Sequence, residues 1–409
     1  MAEPPAETGP SPNDQAPGAE SLARLFVRFL RFGLMAWGGP VAQIGLLRDE
    51  LVEREGWISR ERFNRVLAVY QALPGPEATE LCCYFGMIRR GRLGAVVAGT
   101  GFVLPGFLMM FALSWVYVTY GVATPLVAAA FAGMQAAVCA LIVRAVHRIG
   151  SHALTDRALW AIALLAAGGQ AIGVHFALPI VLGGVAYAAL RLKRWTILAL
   201  AALVFAGAAA WAGMAAFEAG GEPASAAAAV NGQAAAWEVF VSGLRGGLLT
   251  FGGAYTVIPF LRRDAVEIGG WMTGAQFLDA LALSGVLPAP LIIFGTMVGY
   301  LARGPLGALL MTFGLFLPAF SFTLIGHHFF EKVIDNARLH AFLDGVTAAV
   351  VGLIGATAVS LAIEAVDSPL AALIFAGSLA ALYLWKSRWV IPTVVIGAAA
   401  AGLALMRGA

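Results

Sequence analysis

The chain repeats itself, and this repeat limits its fold more than any other feature of the sequence. When the sequence is displaced by 214 positions, FVRFLRFGLMAWGGP at residues 26–40 aligns with FVSGLRGGLLTFGGA at residues 240–254. The match continues in the same register, where LPGP at residues 73–76 meets LPAP at residues 287–290. A repeat of this kind indicates that one structural unit occurs twice. The predicted division is a disordered tail at residues 1–20, a first repeat at 21–194, a linker membrane helix and loop at 195–236, and a second repeat at 237–409.

Composition places both repeats in a membrane. Hydrophobic residues make up 60% of the sequence and charged residues only 12%, with a mean hydropathy of +0.83. Soluble domains contain about 25% charged residues. The apolar runs number about thirteen, and several approach the ~20 residues that an α-helix needs to cross a bilayer. We therefore predict an all-α polytopic membrane protein, and we expect no nucleic acid among its partners.

The segments also predict how the two repeats are oriented. Six segments in the first repeat and one linker helix make an odd number, so the second repeat enters the membrane from the opposite side. With a cytoplasmic N-terminus, most basic residues outside the apolar runs then fall in cytoplasmic loops, as the positive-inside rule requires. The arginines of the segment Arg48–Arg65 fall on the cytoplasmic side only if the first segment is re-entrant. Inverted repeats are therefore predicted, with the interrupted segments 26–47 and 62–88 either spanning or re-entrant.

Residues that break helices interrupt two apolar segments of the first repeat. Gly-Gly-Pro lies inside Phe32–Gln43, and Pro-Gly-Pro follows Leu73. Irregular backbone is tolerated at membrane depth only beside protein or a water-filled cavity. A helix that restarts there presents unpaired N–H groups and the positive end of its dipole, which suit an anion. The predicted substrate-binding residues at these breaks and their repeats are Gly38, Gly39, Pro40, Pro74, Gly75, Pro76, Gly252, Gly253, Pro288 and Pro290.

Two arginines at matching positions add positive charge near the breaks. Arg31 and Arg245 each precede a Gly-Gly pair by seven residues, which places them on the same helical face as the break. An arginine inside a membrane segment is a functional hypothesis by default. The alternative is that Arg31, together with Arg24 and Arg28, reaches the lipid headgroups from a shallow helix. We include Arg31 and Arg245 among the predicted substrate-binding residues.

Three acidic residues are candidates for binding a coupling proton. Glu77 and Glu80 follow Pro76 in the first turn of a new helix, and Asp344 precedes Gly345 in an apolar run. Carboxylates within membrane segments often belong to proton relays. The alternative for Glu77 and Glu80 is that they complement the dipole at a helix N-terminus. Both interpretations stay open at this point.

Taken in order, the motifs resemble the chromate ion transporter family. The resemblance is carried by FGLMAWGGPVAQIGLLRDELV from residue 32 and ALPGPEATELCCYFGMIRRGRLGAVVAGTGFVLPGF from residue 72, then by TFGGAYTVIPFLRRD from residue 250 and SGVLPAPLIIFGTMVGYLARGPLGA from residue 284. It covers about residues 22–406. It implies a two-domain transporter of the bacterial inner membrane that exports chromate, driven by the proton motive force, and so confers chromate resistance. The second repeat departs from the first at Ala254 and Ala289, which stand where Pro40 and Gly75 do.

Other functions are weighed against this one. Chromate and sulfate share charge and tetrahedral shape, so a broader sulfate or oxyanion transporter remains open. An intramembrane enzyme would need a nucleophile–base pair, a metal triad, or a haem or flavin site, and none is evident in the sequence. The expected partners are therefore chromate or sulfate, protons and the lipid bilayer, with no cofactor and no metal; a homodimer is left open.

Overall fold

A computed structural model describes residues 20–121, 124–218, 234–251, 253–334 and 336–406. Every regular element in these residues is a helix, which confirms the predicted all-α class. Residues 1–19 of the predicted tail, residues 219–233 of the predicted linker, and Gly252 lie outside the described residues.

The described part of the first repeat and linker consists of helices joined by short connections. They are α1 (Leu22–Leu34), α2 (Pro40–Leu47), α3 (Arg60–Ala72), α4 (Glu77–Tyr120), α5 (Pro125–Ala153), α6 (Arg157–Ala171), α7 (Ala177–Arg191) and the linker helix α8 (Trp195–Glu218). A π-helical turn, Arg48–Arg54, extends α2.

The second repeat follows the same order. Its helices are α9 (Ala236–Leu248), α10 (Ile258–Arg262), α11 (Gly274–Val286), α12 (Phe294–Ile334), α13 (Ala337–Ala365), α14 (Pro369–Leu384) and α15 (Val390–Met406). Single 3₁₀ turns, Ala254–Val257 and Leu291–Ile293, precede α10 and α12, and a π-helical turn, Arg263–Ile268, follows α10. Equivalent helices agree in length, since α1 and α9 have 13 residues each and α5 and α13 have 29 each.

Several helices are long and apolar enough to cross a membrane. Within the described residues, five segments meet this condition: Glu77–Tyr120, Pro125–Ala153, Trp195–Met214, Leu291–Ile325 and Arg338–Ala365. Shorter apolar helices accompany them, α7 and α14 among them. The chain is therefore a multi-pass membrane protein, as predicted. The number of about thirteen segments stays a prediction, because the shorter helices do not reach the ~20 residues needed for an upright span.

The break at Leu73–Pro76 forms the tip of a helical hairpin. The α3 side chain of Phe63 stacks on Phe85 of α4 at a ring distance of 6.3 Å, and Arg62 donates to the Tyr84 hydroxyl at 3.1 Å. The chain then reverses a second time at Gly91, whose φ of 59° is open to glycine at little cost. The two arms of α4 pack so closely beyond this turn that the backbones of Gly86 and Gly94 touch.

The two repeats interlock through equivalent helices. On α5, Cys139 donates to the carbonyl of Leu361 on α13 at 3.4 Å, whereas Gly150, eleven residues further along, faces Val351. The partner residue number falls as the α5 number rises, so α5 and α13 cross antiparallel. The last helix of each repeat packs against the other repeat, α7 on α13 and α15 on α5.

Candidate anion-binding site

The Gly-Gly-Pro break forms an uncapped helix N-terminus. Gly38 and Gly39 have φ values of 91° and 80°, which side-chain-bearing residues rarely adopt. Pro40 is the first residue of α2, where its missing N–H costs nothing. No side chain caps α2, so the N–H groups of its first turn remain available to a ligand. The sequence prediction that a helix restarts at Pro40 is therefore confirmed.

A cavity of about 220 Å³ opens at this N-terminus. The break itself forms one wall, and the remaining walls come from α5, from the 3₁₀ turn of the second repeat and from the connection between α14 and α15. Its polar and backbone lining consists of Gly38, Gly39, Pro40, Arg144, Arg148, Tyr255, Ser387 and Arg388. Residues of both repeats thus meet at one helix end.

The cavity is strongly positive. Among the described residues, Arg144, Arg148 and Arg388 have no carboxylate within 4.0 Å, the limit for a salt bridge. Arg144 and Arg148 are one helical turn apart on α5 and share a face. Three guanidinium groups and a helix N-terminus therefore converge without a carboxylate in salt-bridge contact among the described residues, which is an arrangement that favours a bound anion.

Arg388 is held against the break by close packing. A β-carbon on Gly38 would lie 2.9 Å from the carbonyl oxygen of Arg388, so only glycine fits there. The ring of Trp389 lies 5.1 Å from that of Trp37, and the Arg388 guanidinium lies 5.7 Å from the Trp389 ring. These contacts fix the connection before α15 beside the first break.

The hairpin tips meet the opposite repeat instead of lining this cavity. Gly75 donates its N–H to the carbonyl of Thr250 at 2.8 Å, which docks the first tip, with Pro74 and Pro76, on the second break. In the second hairpin Ala289, between buried Pro288 and Pro290, packs against Gly106 of α4. Gly253 has a φ of 129° and open space beside it. Pro74, Gly75, Pro76, Gly253, Pro288 and Pro290 are all absent from the cavity lining.

The two predicted arginines have different surroundings. Arg31 lines an open cleft of about 820 Å³ that shares Arg388 with the cavity. Arg245 instead forms a salt bridge of 2.8 Å with Asp264, whose carboxylate also accepts from Ser242 at 2.7 Å. Arg31 is therefore next to the cavity, whereas the charge of Arg245 is compensated locally.

The predicted proton-binding residues also differ in position. Glu77 and Glu80 are buried at the start of α4, and Glu77 interacts electrostatically with Arg148 of the cavity. Within the described residues neither carboxylate oxygen of Glu80 has a hydrogen-bond partner, and a β-carbon on Gly75 would lie 2.7 Å from one of them. Asp344 is exposed on α13, beside His340 and Arg191, and does not line the cavity.

Sequence reasoning missed five polar residues of the cavity region and one buried acid. Arg144 and Arg148 count among the basic residues that the positive-inside rule places in cytoplasmic loops, although their spacing of four residues places them on one helical face. Tyr255, Ser387 and Arg388 carried no signal, because only tertiary packing brings them to the break. Asp279 on α11 is buried and accepts from Tyr117 at 2.7 Å and from Gln135 at 2.8 Å.

A histidine occupies the position of the first repeat that matches Arg388 of the second. His175 lies two residues before α7 begins, and Arg388 lies two residues before α15 begins. Partial burial, and then the charges of Arg263 and Arg245, lower the pKa of His175, with Asp264 opposing them. Histidine titrates near neutral pH whereas arginine stays charged, so this position lacks the permanent charge of Arg388.

The fold and the cavity together define a multi-pass helical membrane protein with an anion-suited site where its two repeats meet. The chain belongs to the chromate transporter family, whose family model matches residues 23–220 and 237–403. This match confirms the resemblance drawn from the motifs. Members of the family are transporters and not enzymes. No solved structure matches the chain.

Named relatives cover nearly the whole chain. It is 54% identical to a chromate transport protein of Pseudomonas aeruginosa over 97% of this chain and 96% of the relative. It is 32% identical to a chromate transport protein of Cupriavidus metallidurans, over 94% of this chain and 93% of the relative. It is 30% identical to a probable chromate transport protein of Synechococcus elongatus, over 94% of this chain and 96% of the relative.

Proposed function

We propose that this chain exports chromate from the bacterial cytoplasm across the inner membrane, driven by the proton motive force, and thereby confers chromate resistance. The family and the relatives named chromate transport protein support chromate as the cargo. The observation that carries the proposed binding site is the cavity at the first break. Within the described residues, three arginines without a carboxylate partner meet the uncapped N-terminus of α2 there.

The chemistry of this cavity suits a small tetrahedral oxyanion. Guanidinium forks and helix N–H groups both donate to oxyanion oxygens. A hydrogen bond to a charged group contributes about 1.5–3 kcal/mol, and a helix N-terminus contributes roughly 0.3–2 kcal/mol. Several such interactions offset much of the hydration that the ion loses, which one alone could not do. Sulfate offers the same charge and shape, and is therefore the competing ligand to test.

The antiparallel crossing of α5 and α13 supports inverted repeats. Equivalent helices run in opposite directions when the repeats are related by an axis in the membrane plane. In transporters built this way the substrate binds where the repeats meet, and alternating access comes from rocking one repeat against the other. The cavity takes Arg144 from the first repeat and Arg388 from the second, in keeping with this scheme.

The hairpin of α3 and α4 supports the re-entrant alternative for segment 62–88. Its two arms lie side by side with Leu73–Pro76 at the tip, so the chain returns to the side from which it entered. With a cytoplasmic N-terminus and a first segment 26–47 that is re-entrant as well, this topology puts Arg89 and Arg90 on the cytoplasmic side. The positive-inside rule favours that orientation.

Proton coupling is assigned to Glu77 and Glu80. A carboxylate that is buried in a membrane segment without a partner is a candidate proton carrier, and Glu80 meets this description within the described residues. The charge of Glu77 acts on Arg148. The protonation state of Glu77 therefore changes how strongly the cavity attracts an anion. Asp344 is a weaker candidate, because it is exposed and does not line the cavity.

The first experiment is radiolabelled chromate flux into proteoliposomes, with and without an imposed pH gradient and with excess unlabelled sulfate. We expect gradient-dependent flux that resists sulfate, that is lost in Arg388→Gln, and that is kept in Lys386→Gln. Lys386 is an exposed residue of the same connection outside the cavity lining, so it controls for loss of charge.

The other outcomes are equally informative. Flux that sulfate abolishes identifies a broader oxyanion transporter. Full flux in Arg388→Gln moves the binding site away from this cavity. Absence of flux in demonstrably folded protein overturns chromate as the substrate.

A further inference from the structure

A second apolar groove lies beside the linker helix, away from the anion cavity. Helices α6, α7 and α8 enclose a volume of about 400 Å³ that is lined almost entirely by aliphatic side chains, with Tyr187 and Phe205 as the larger members. Only 6% of the most apolar stretch of α8, within Trp195–Met214, is buried in the protein. The groove therefore opens toward the hydrocarbon of the bilayer.

One end of this groove continues into a basic recess. The recess has a volume of about 660 Å³ and shares Ala158, Tyr187 and Leu190 with the groove. Its charged residues are Arg157, Arg191, Lys193 and Asp156.

The single acid of the recess is already engaged. Asp156 accepts from the backbone N–H groups of Ala158 and Leu159 at 2.9 Å each, and from the Tyr187 hydroxyl at 2.7 Å. The N–H of Leu159 contributes most to lowering the pKa of the Asp156 carboxyl, and the Tyr187 hydroxyl lowers it further. Among the described residues, no carboxylate lies within salt-bridge distance of Arg157, Arg191 or Lys193. Asp344 acts on Arg191 only from beyond that distance, so the three exposed cations remain available to a ligand.

The basic recess lies where the membrane surface is expected. Helix α6 begins at Arg157, α7 ends at Arg191 and α8 begins at Trp195, so one end of all three helices meets there. Trp195 is 65% exposed at the start of an otherwise apolar helix, and tryptophan is enriched at the membrane–water interface. The groove then runs from the interface into the hydrocarbon.

We propose that the groove and the recess together bind one phospholipid with an anionic headgroup. Its acyl chain lies between α8 and the pair α6 and α7, and its phosphate contacts Arg157, Arg191 and Lys193. Basic pockets between membrane helices bind acidic headgroups, and apolar grooves hold acyl chains. Helix α6 has 15 residues and so is about 22 Å long. This exceeds the roughly 15 Å of one leaflet, half of the ~30 Å hydrocarbon core, so an acyl chain of one leaflet fits along the groove. The site does not depend on which anion is transported.

The test is thermal unfolding of the full chain in detergent with added lipid. The probes are phosphatidylglycerol, phosphatidylcholine and soluble glycerol phosphate, and co-purified lipid is identified by mass spectrometry. We expect phosphatidylglycerol to raise the midpoint temperature with at least tenfold higher apparent affinity than phosphatidylcholine, and glycerol phosphate to have no effect. Equal responses to the two lipids overturn the proposal, and a matching response to glycerol phosphate reassigns the recess to soluble anions.

Two variants separate the headgroup from the acyl chain. The triple change Arg157→Gln, Arg191→Gln, Lys193→Gln should weaken phosphatidylglycerol binding at least tenfold. The control removes the same charge from the exposed residues Arg65, Arg338 and Lys386, and should leave binding unchanged. Ala202→Phe fills the groove from α8 and should also weaken binding, although it keeps every cation. Unchanged binding in both the triple variant and Ala202→Phe overturns the site.

Discussion

The two helix breaks share a glycine with positive φ but differ in the charged residues around them. Gly39 and Gly253 both have φ values in the left-handed region, 80° and 129°. The first break faces Arg144, Arg148 and Arg388. The positions that match these three arginines are Ala356 and Ser360 on α13 of the second repeat and His175 before α7 of the first repeat. Duplication thus preserved the positive-φ glycine of the break, whereas the cluster of Arg144, Arg148 and Arg388 is specific to the first copy.

The arginines at matching positions before the breaks, Arg31 and Arg245, also differ in whether a carboxylate compensates their charge. Arg245 is neutralised by Asp264 at 2.8 Å. The residue that matches Asp264 in the first repeat is Glu50, which pairs with Arg54 at 2.8 Å and leaves Arg31 without a salt bridge among the described residues. A symmetric pair of sequence positions therefore yields one compensated charge and one that faces an open cleft.

The largest effect is expected where the two breaks agree. Gly39→Leu and Gly253→Leu should each abolish chromate flux while membrane insertion persists, because a side chain costs about 1–2 kcal/mol in the left-handed region and distorts the break. Initial flux rates in proteoliposomes measure the effect. Gly45→Leu is the matched control, since Gly45 is helical with open space beside it. Retained flux in either break variant would remove the role of that glycine.

The second largest effect concerns chromate affinity, which should depend on the arginines near the first break more than on Arg245 near the second. Arg144→Gln removes a charged donor from the cavity, worth about 1.5–3 kcal/mol, so chromate affinity should fall about 10–150-fold. Arg245→Gln should change affinity far less, because that guanidinium is engaged by Asp264. Competition binding with radiolabelled chromate gives both values. Equal losses in the two variants would contradict the asymmetry.

The next prediction compares matching residues of the two hairpins by their contribution to the free energy of unfolding. Asp279 on α11 is 4% exposed and accepts from Tyr117 at 2.7 Å, whereas the matching residue of the first hairpin, Arg65, is exposed. Tyr117→Phe should lower the free energy of unfolding by about 1.5–3 kcal/mol, the contribution of a hydrogen bond to a charged group. Arg65→Gln should change it by less than about 0.5 kcal/mol, as for a surface substitution. Denaturant unfolding followed by tryptophan fluorescence distinguishes them.

The smallest effect concerns pH. The pKa of His175 is lowered by burial and by Arg263 and Arg245, so the unfolded chain takes up this proton more readily than the folded one. The contribution of His175 to stability is therefore present above its unfolded pKa of about 6.5 and is lost as the pH falls below that value and through the lower pKa of the folded state. His175→Gln should remove this part of the acid-side decline in midpoint temperature between pH 8 and 5. An identical pH profile in the variant would assign the decline to other groups.

Much of the fold followed from local patterns. The 214-residue register predicted matching elements, and α1 and α9 begin and end at matching positions. The start of α2 at Pro40 followed from the chemistry of Gly and Pro. The crossing direction of α5 and α13 agrees with the inversion predicted from segment number, although that topology stays a prediction. Local rules succeed here because backbone conformation depends on near neighbours.

The site was only partly predictable. Gly38, Gly39 and Pro40 do line the cavity, whereas the hairpin tips dock on the opposite repeat. Arg388 lies far along the chain from the break it serves, and no periodicity links the two. Buried Asp279 gave no signal either, because its partners Tyr117 and Gln135 belong to the other repeat.

The sequence by itself determined the membrane environment, the duplicated unit, the positions of the helix breaks and the family. These depend on hydropathy, on self-similarity and on the conformational limits of glycine and proline, which are properties of short stretches of chain. Only the tertiary structure decided which charges surround each break. That outcome depends on packing between repeats, where Arg388 reaches the first break and Asp264 neutralises Arg245 near the second. Electrostatics acts between side chains that are close in space, and closeness in space is set by the fold.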